Sequence, residues 1–95
     1  FYKHYKRKKN IMSQISAVKE FIIENFLFGE EDQLKLDTDF FDQGIIDSTG
    51  VVELVSFLEE TFNISIDDEE LIPENLSSLK NIDVFLQKKL NHKVV

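Results

Sequence analysis

The sequence predicts an all-α fold, a small four-helix bundle made of three longer helices and one short one. Three separate stretches of the 95-residue chain repeat apolar residues at intervals of three and four, which is the spacing of one face of an α-helix. One proline and three glycines leave these stretches free to be helical. The chain shows none of the strict alternation of apolar and polar residues that indicates a strand.

We assign residues 12–91 to one domain, preceded by a basic extension, 1–11, that we expect to be disordered, and followed by a frayed tail, 92–95. The first helix starts at a serine cap, either Ser13 or Ser16, and ends at Gly29, a residue suited to a left-handed helix terminus. Its apolar positions include Ile15, Val18, Ile22 and Phe26.

A long connection, 30–47, carries more large apolar residues than a solvated linker would: Leu34, Leu36, Phe40, Phe41, Ile45 and Ile46. We therefore expect it to lie across the bundle with several of these side chains buried. Its acids do not form a calcium loop. Such a loop starting at Asp37 needs an oxygen ligand where Phe41 stands and a glycine where Asp42 stands. We predict no metal site.

The second helix follows Ser48, which lies where an N-cap belongs. Its buried stripe consists of Val51, Leu54, Val55, Leu58 and Phe62. The opposite face carries Glu53, Ser56 and Glu60, with Glu59, Val52 and Phe57 at its margins. Two apolar residues at the margins of a solvated face favour a surface that contacts a partner.

The remaining chain predicts a short helix and a last long one. The acidic run 67–71 forms the short helix, which stops before Pro73. Ser77 or Ser78 then caps the last helix. Its inward residues are Leu79, Ile82, Phe85, Leu86 and Leu90.

The run from Asp47 to Glu60 resembles the acyl carrier protein family. The motif consists of Asp47-Ser48, Val52-Glu53-Leu54 and Leu58-Glu59-Glu60. The resemblance extends from about Ser13 to Leu90 and implies the four-helix fold. It also implies that Ser48 carries 4′-phosphopantetheine through a phosphodiester, that the arm's thiol holds an acyl or aminoacyl thioester, and that Asp47 helps position magnesium in the modifying transferase.

Two residues depart from the commonest fatty-acid pattern of the family, since Thr49 stands where leucine is usual and Gly50 where a second acid is usual. The form Asp-Ser-x-Gly also resembles carriers of the D-alanyl type and stand-alone carriers of specialised pathways. We expect Gly50 to leave a smooth, uncharged patch beside the arm, which would admit a partner other than the fatty-acid enzymes.

The resemblance implies three kinds of partner: a phosphopantetheinyl transferase, a ligase or transferase that loads the arm, and a downstream synthase or transferase. We expect them to bind Thr49, Gly50, Val52, Glu53, Ser56, Phe57, Glu59 and Glu60. Phe57 has two open interpretations, because it could contact a partner or tuck under the 30–47 connection.

Charge and composition exclude several functions. The formal net charge is −7, and it becomes −12 once the five basic residues of 1–11 are set aside, which disfavours nucleic acid and favours basic partner surfaces. The chain has no cysteine, and its histidines, His4 and His92, lie in the predicted tails, so we expect no catalytic site. Without an apolar run long enough for a membrane span, we expect a cytoplasmic monomer.

Two alternatives remain open at this point. Residues 1–11 are either an extension without function or a basic arm that touches lipid, nucleic acid or the domain's own acidic face. The chain as a whole could also be an unmodified acidic helical adaptor that binds a basic protein, in which case Ser48 serves only as a helix cap.

Overall fold

The computed structural model describes residues 14–94, apart from the side chains of Glu31 and of 91–94. Four α-helices lie in this range: α1, Gln14–Phe26; α2, Ser48–Phe62; α3, Pro73–Leu76; and α4, Leu79–Val94. Two 3₁₀ turns, Glu31–Gln33 and Asp68–Glu70, lie in the connections. The described range contains no strand, and the all-α, four-helix prediction is confirmed. The predicted extension, 1–11, lies outside the described residues.

The helix bounds differ from the prediction in places. Ser16 is inside α1, so it is not the cap, and Ser13 lies outside the described residues. After α1, Phe28 (φ 54°) and Gly29 (φ 90°) both adopt left-handed backbone, so the turn that ends the helix begins one residue before the glycine. A non-glycine residue in this region costs about 1–2 kcal/mol. The α4 backbone is helical as far as Val94, and the frayed tail stays a prediction.

The core is filled from the inward faces of the helices. The side chains with no solvent exposure at all are Val18, Ile22, Phe40, Leu54, Leu58, Ile82 and Leu86. Burying each large side chain contributes roughly 1.5–3 kcal/mol relative to leaving it in water. Phe40 belongs to the 30–47 connection, so the core depends on this segment as well as on the helices.

The 30–47 connection lies across the bundle, as predicted. Leu34, Phe40 and Ile46 are buried, while Leu36 remains exposed. Two backbone hydrogen bonds tie the connection to the start of α4: the Phe40 N–H donates to the carbonyl of Ser77 at 2.7 Å, and the Lys80 N–H donates to the carbonyl of Leu36 at 3.0 Å. The connection is therefore held in place both by buried apolar side chains and by backbone hydrogen bonds.

Two aromatic contacts show that α1 and α2 are antiparallel. Phe21 stacks on Phe57 with ring centroids 4.2 Å apart and an interplanar angle of 13°. Phe26, further along α1, lies against Gly50, nearer the start of α2. The later residue of α1 thus contacts the earlier residue of α2. The C-terminal end of α1 therefore packs beside the N-terminal end of α2.

Gly50 is buried, and its lack of a side chain is what lets Phe26 approach. A Cβ added at Gly50 would lie 2.7 Å from Cε1 of Phe26 and 3.1 Å from Cγ2 of Ile46. The predicted smooth patch at Gly50 is therefore wrong, because the Phe26 ring and Ile46 cover this position. Gly50 is a close-approach residue of the core and not part of a partner surface.

The acidic run after α2 forms a short helix that ends before Pro73, as predicted, but it is one turn of 3₁₀ helix, Asp68–Glu70, and not an α-helix. The short α-helix, α3, begins at Pro73 and was not predicted. Proline suits the first helical position, where its missing N–H has no intrahelical partner to lose. The predicted cap of α4 is confirmed, since Ser78 Oγ accepts a hydrogen bond from the Asn81 N–H at 3.1 Å.

Glu70 joins the 3₁₀ turn to α4. Its Oε1 accepts hydrogen bonds from the Asp67 N–H at 2.9 Å and from Lys89 Nζ at 3.0 Å. The backbone hydrogen bond from Asp67, and after it the hydrogen bond from Lys89, lower the pKa of Glu70 below its ordinary value. Desolvation opposes them, and the positive charge of Lys89 adds to the lowering. The ionised form therefore stabilises the fold.

We predict that Glu70→Gln flattens the acid side of the stability profile. Because the folded pKa is lower than the unfolded one, the carboxylate contributes stability above the ordinary glutamate pKa of about 4.3, and this contribution is lost as pH falls through the folded pKa. A partly exposed pair contributes under about 1 kcal/mol. Thermal unfolding between pH 7 and pH 3 measures the slope, with Glu74→Gln as the charge-matched control. An unchanged slope in Glu70→Gln would contradict the assignment.

We also predict that Gly50→Ala destabilises the fold although alanine is the better helix former. The gain in helix propensity is about 1 kcal/mol, whereas overpacking costs about 1–3 kcal/mol, which leaves a net loss of up to about 2 kcal/mol. In a Phe26→Ala background the clash with the ring is gone and only the contact with Ile46 remains, so the same change should cost less. Urea unfolding of the wild type, Gly50→Ala, Phe26→Ala and the double variant gives the change in unfolding free energy that Gly50→Ala causes in each background. Equal changes in the two backgrounds would refute the contact.

Candidate attachment site

The segment before α2 is anchored so that Asp47 and Ser48 emerge at the surface. Ile46 is buried, and its N–H donates to the carbonyl of Phe40 at 3.2 Å. The neighbouring Ile45 N–H donates to the same carbonyl at 2.8 Å. Gly44, with φ 70°, supplies the left-handed turn that brings the chain back to this carbonyl. Because Ile46 is fixed in the core, the two exposed residues after it have a defined place.

Asp47, and not Ser48, is the N-cap of α2. Its backbone is extended (φ −103°, ψ −171°), and its Oδ1 accepts a hydrogen bond from the Gly50 N–H at 2.8 Å. Ser48 is the first helical residue, so the predicted cap at Ser48 is wrong. Asp and Ser are equally good N-caps, and both lie within one residue of the helix start. The sequence pattern therefore does not decide which of the two is the cap.

The Ser48 hydroxyl is left available by this arrangement. Ser48 is exposed, and its hydroxyl forms no hydrogen bond within the described residues 14–94. In the first turn of α2, Asp47 satisfies two N–H groups: its side chain accepts from Gly50 and its carbonyl accepts from Val51 at 3.0 Å. The N–H groups of Ser48 and Thr49 have no intrahelical acceptor, as expected at a helix start.

These residues fit a phosphodiester-linked group. A phosphate on Ser48 Oγ would lie at the positive end of the α2 dipole, beside the N–H groups of Ser48 and Thr49. Both residues are exposed, so an arm attached there can extend into solvent.

The exposed face of α2 contains five of the predicted partner residues: Thr49, Val52, Glu53, Ser56 and Glu60. Val52 is the apolar member of this group, and 65% of its surface is exposed. One turn of helix separates it from Ser48. This face therefore combines an apolar contact point with two carboxylates, of which Glu53 is the nearer to Ser48.

Three predicted partner residues have structural contacts instead. Gly50 is buried under Phe26, as described above. Glu59 is half-buried, and its Oε2 accepts a hydrogen bond from the Ile66 N–H at 2.9 Å, which fixes the chain after α2. Phe57 is half-buried in its stack with Phe21 of α1. The ring of Phe57 therefore packs on α1, and the two interpretations of this residue stay predictions.

Neither a membrane helix nor a metal cluster is found in the part of the chain that the structure describes. None of the helices there is long and apolar enough to cross a bilayer. Within 14–94, no three histidine, aspartate or glutamate side chains come together in a way that could hold a metal ion.

Comparison with known proteins identifies the family. Residues 22–82 match the family described as "Phosphopantetheine attachment site". D-alanyl carrier proteins of Streptococcus pyogenes serotype M5 (strain Manfredo) and serotype M49 (strain NZ131) are each 38% identical over 68 residues, covering 70% of this chain and 86% of the relative.

The fold is also similar to a solved carrier structure. The solution NMR structure of a holo acyl carrier protein from Nitrosomonas europaea superposes with a TM-score of 0.71 at 26% identity, covering 85% of this chain and 100% of that chain. The family match spans Asp47, Ser48 and the whole of α2. The chain therefore belongs to the phosphopantetheine-binding carrier proteins, which bear 4′-phosphopantetheine and are carriers and not enzymes themselves.

Proposed function

We propose that Ser48 Oγ bears the phosphopantetheine arm and that the chain holds an acyl or aminoacyl group as a thioester at the end of this arm. The observation that carries the proposal is the exposed Ser48 hydroxyl, which makes no hydrogen bond within the described residues while Asp47 caps the helix in its place. Because this hydroxyl does not stabilise the helix, it can be modified without disturbing α2.

Asp47 has a second proposed role besides the cap. Its Oδ1 is committed to the Gly50 N–H, and the residue is exposed. The other carboxylate oxygen accepts no hydrogen bond within residues 14–94 and can serve the magnesium ion that the transferase holds with coenzyme A. The hydrogen bond to the Gly50 N–H holds the Asp47 carboxylate in a fixed position relative to the Ser48 hydroxyl. A metal ion bound by this carboxylate would then be held close to the reacting oxygen.

We propose D-alanine as the first cargo to test. The S. pyogenes relatives are named D-alanyl carrier proteins and share 38% identity with this chain over 68 residues. The partners would then be a phosphopantetheinyl transferase, a ligase that loads the amino acid, and a downstream transferase. Since coenzyme A and ATP are supplied in the cytoplasm, we place these reactions there.

Partners would meet the exposed face of α2 at Val52, Glu53 and Glu60. Exposed ion pairs contribute only about 0–1 kcal/mol each, so the acids favour fast capture by a basic surface and not tight binding. Val52 adds an apolar contact beside the arm. Weak contacts suit a carrier that has to leave each enzyme before it meets the next.

We predict that Ser48→Ala abolishes modification while leaving stability nearly unchanged. The intact protein is incubated with coenzyme A, magnesium and a broad-specificity phosphopantetheinyl transferase, and its mass should rise by one phosphopantetheine only when Ser48 is present. Because Asp47 is the cap, the free energy of unfolding should change by no more than about 0.5 kcal/mol. Ser65→Ala, which changes an exposed serine outside the predicted partner residues, is the matched control and should be modified normally.

Two outcomes would contradict this assignment. Modification of Ser48→Ala would place the arm elsewhere. A folded wild-type protein that gains no mass would favour the alternative, an unmodified acidic adaptor that binds a basic protein through α2.

We predict that Asp47→Asn and Asp47→Ala separate the two roles of Asp47. Asparagine keeps an oxygen that can cap the helix, so stability should hold, whereas alanine should cost about 0.5–2 kcal/mol. Both variants lose the negative charge and should be modified more slowly, by about 10–100-fold if the carboxylate supports the metal. Initial rates of modification and urea unfolding measure the two effects. A normal rate for Asp47→Asn would leave Asp47 with the cap alone.

A further inference from the structure

A groove crosses the connection between α1 and α2, and we call it the connection groove. Its first part has a volume of about 360 Å³ and is lined by Phe28, Ile45 and Glu30 among others. Its second part has a volume of about 510 Å³ and is lined by Asp32 and Asp37 among others. The two parts share Gln33, Gln43 and Ile45, so they are continuous.

Phe28 is the unusual residue of this groove. It is 89% exposed and has φ 54°, a conformation that bulky side chains rarely adopt. Folding stability favours neither the exposure of a phenyl ring nor this backbone geometry, and the neighbouring Gly29 could have supplied the left-handed residue alone. A strained, exposed aromatic side chain beside a groove points to binding.

The charge of the connection groove selects the kind of ligand. Four carboxylates line it, from Glu30, Asp32, Asp37 and Asp39, against one lysine, Lys35. Within the described residues no three such groups are close enough together to hold a metal ion. Carboxylates spread along a groove are suited to separate Lys or Arg side chains of a protein, and the apolar end at Phe28 and Ile45 is suited to an apolar side chain between them.

The groove lies next to the attachment residue. Ile45 precedes Ser48 by three positions and is hydrogen-bonded in the turn that leads to it. Phe26, which lines the same end of the groove, lies against Gly50 in the first turn of α2. A protein bound in the connection groove would therefore lie beside the arm. It would contact residues that precede Ser48 in the chain, whereas the exposed face of α2 follows Ser48.

We propose that the connection groove is the docking surface for the enzyme that loads the arm, which would place an apolar side chain against Phe28 and Ile45 and basic side chains toward Asp32 and Asp37. The proposal rests on the proposed function. The modifying transferase reacts at Ser48 Oγ itself, at the front of α2. The loading enzyme reacts at the far thiol of a flexible arm, so contact with the connection groove, in addition to the exposed face of α2, would keep that thiol within its reach.

The test measures loading of the holo protein. Wild type and variants are modified with coenzyme A and the transferase, checked by intact mass, and charged with labelled D-alanine by the purified S. pyogenes ligase that loads the relatives. Phe28→Asn removes the ring with a residue that tolerates left-handed backbone, and Asp32→Lys/Asp37→Lys reverses the charge. We expect each to raise KM for the carrier by about tenfold or more with kcat unchanged.

Matched controls isolate the groove. Leu36→Asn removes an exposed apolar side chain of the same connection that does not line the groove, and Glu69→Lys/Glu74→Lys makes the same charge change elsewhere. Both should be loaded with wild-type KM, and every variant should accept the arm normally.

The outcomes separate the two proposals. A wild-type KM for Phe28→Asn, or an equal rise in Leu36→Asn, overturns the docking surface while the carrier function stands. A wild-type chain that accepts the arm but no D-alanine overturns the proposed cargo, and with it this occupant of the groove. A wild-type chain that accepts no arm overturns the carrier function at Ser48.

Discussion

The contact between Phe26 and Gly50 is the constraint on which the attachment end of the molecule depends. It brings the end of α1 against the first turn of α2 at a distance that no side chain at position 50 would permit. Phe21 and Phe57 extend the same seam by a stacked pair, and Phe21 meets Phe26 edge to face at 5.9 Å. These rings fix the direction and depth of α2, and so determine where Ser48 reaches the surface.

The first turn of α2 divides its tasks between neighbouring residues. Ile46 anchors the chain in the core, Asp47 caps the helix, and Ser48 is left with an exposed hydroxyl. If Ser48 were the cap, modification would remove an interaction of about 0.5–2 kcal/mol from the helix start. Because the neighbouring aspartate has that role, the proposed attachment of the arm at Ser48 need not alter the stability of the helix start.

The helices and much of the core could be predicted from the sequence because they follow from periodicity. The buried stripe at Leu54 and Leu58 and the anchoring of the connection by Phe40 are examples. What sequence could not supply were contacts between distant residues. The sequence does not reveal that Phe26 lies over Gly50, or that Glu59 accepts a hydrogen bond from the Ile66 N–H seven residues further along the chain. The cap was misplaced by one residue since Asp and Ser are equally good caps.

The surface around Ser48 combines two kinds of contact on its two sides. After it in the chain, α2 presents Val52 with two exposed glutamates, and before it the connection presents Phe28 with several aspartates. Each pairs an apolar side chain, which supplies most of the contact energy, with acids that speed encounter and add little affinity. Because the two surfaces do not overlap, partners that differ in which one they use can be distinguished by substitutions that leave the other intact. A small acidic domain can in this way serve several enzymes without binding any of them tightly.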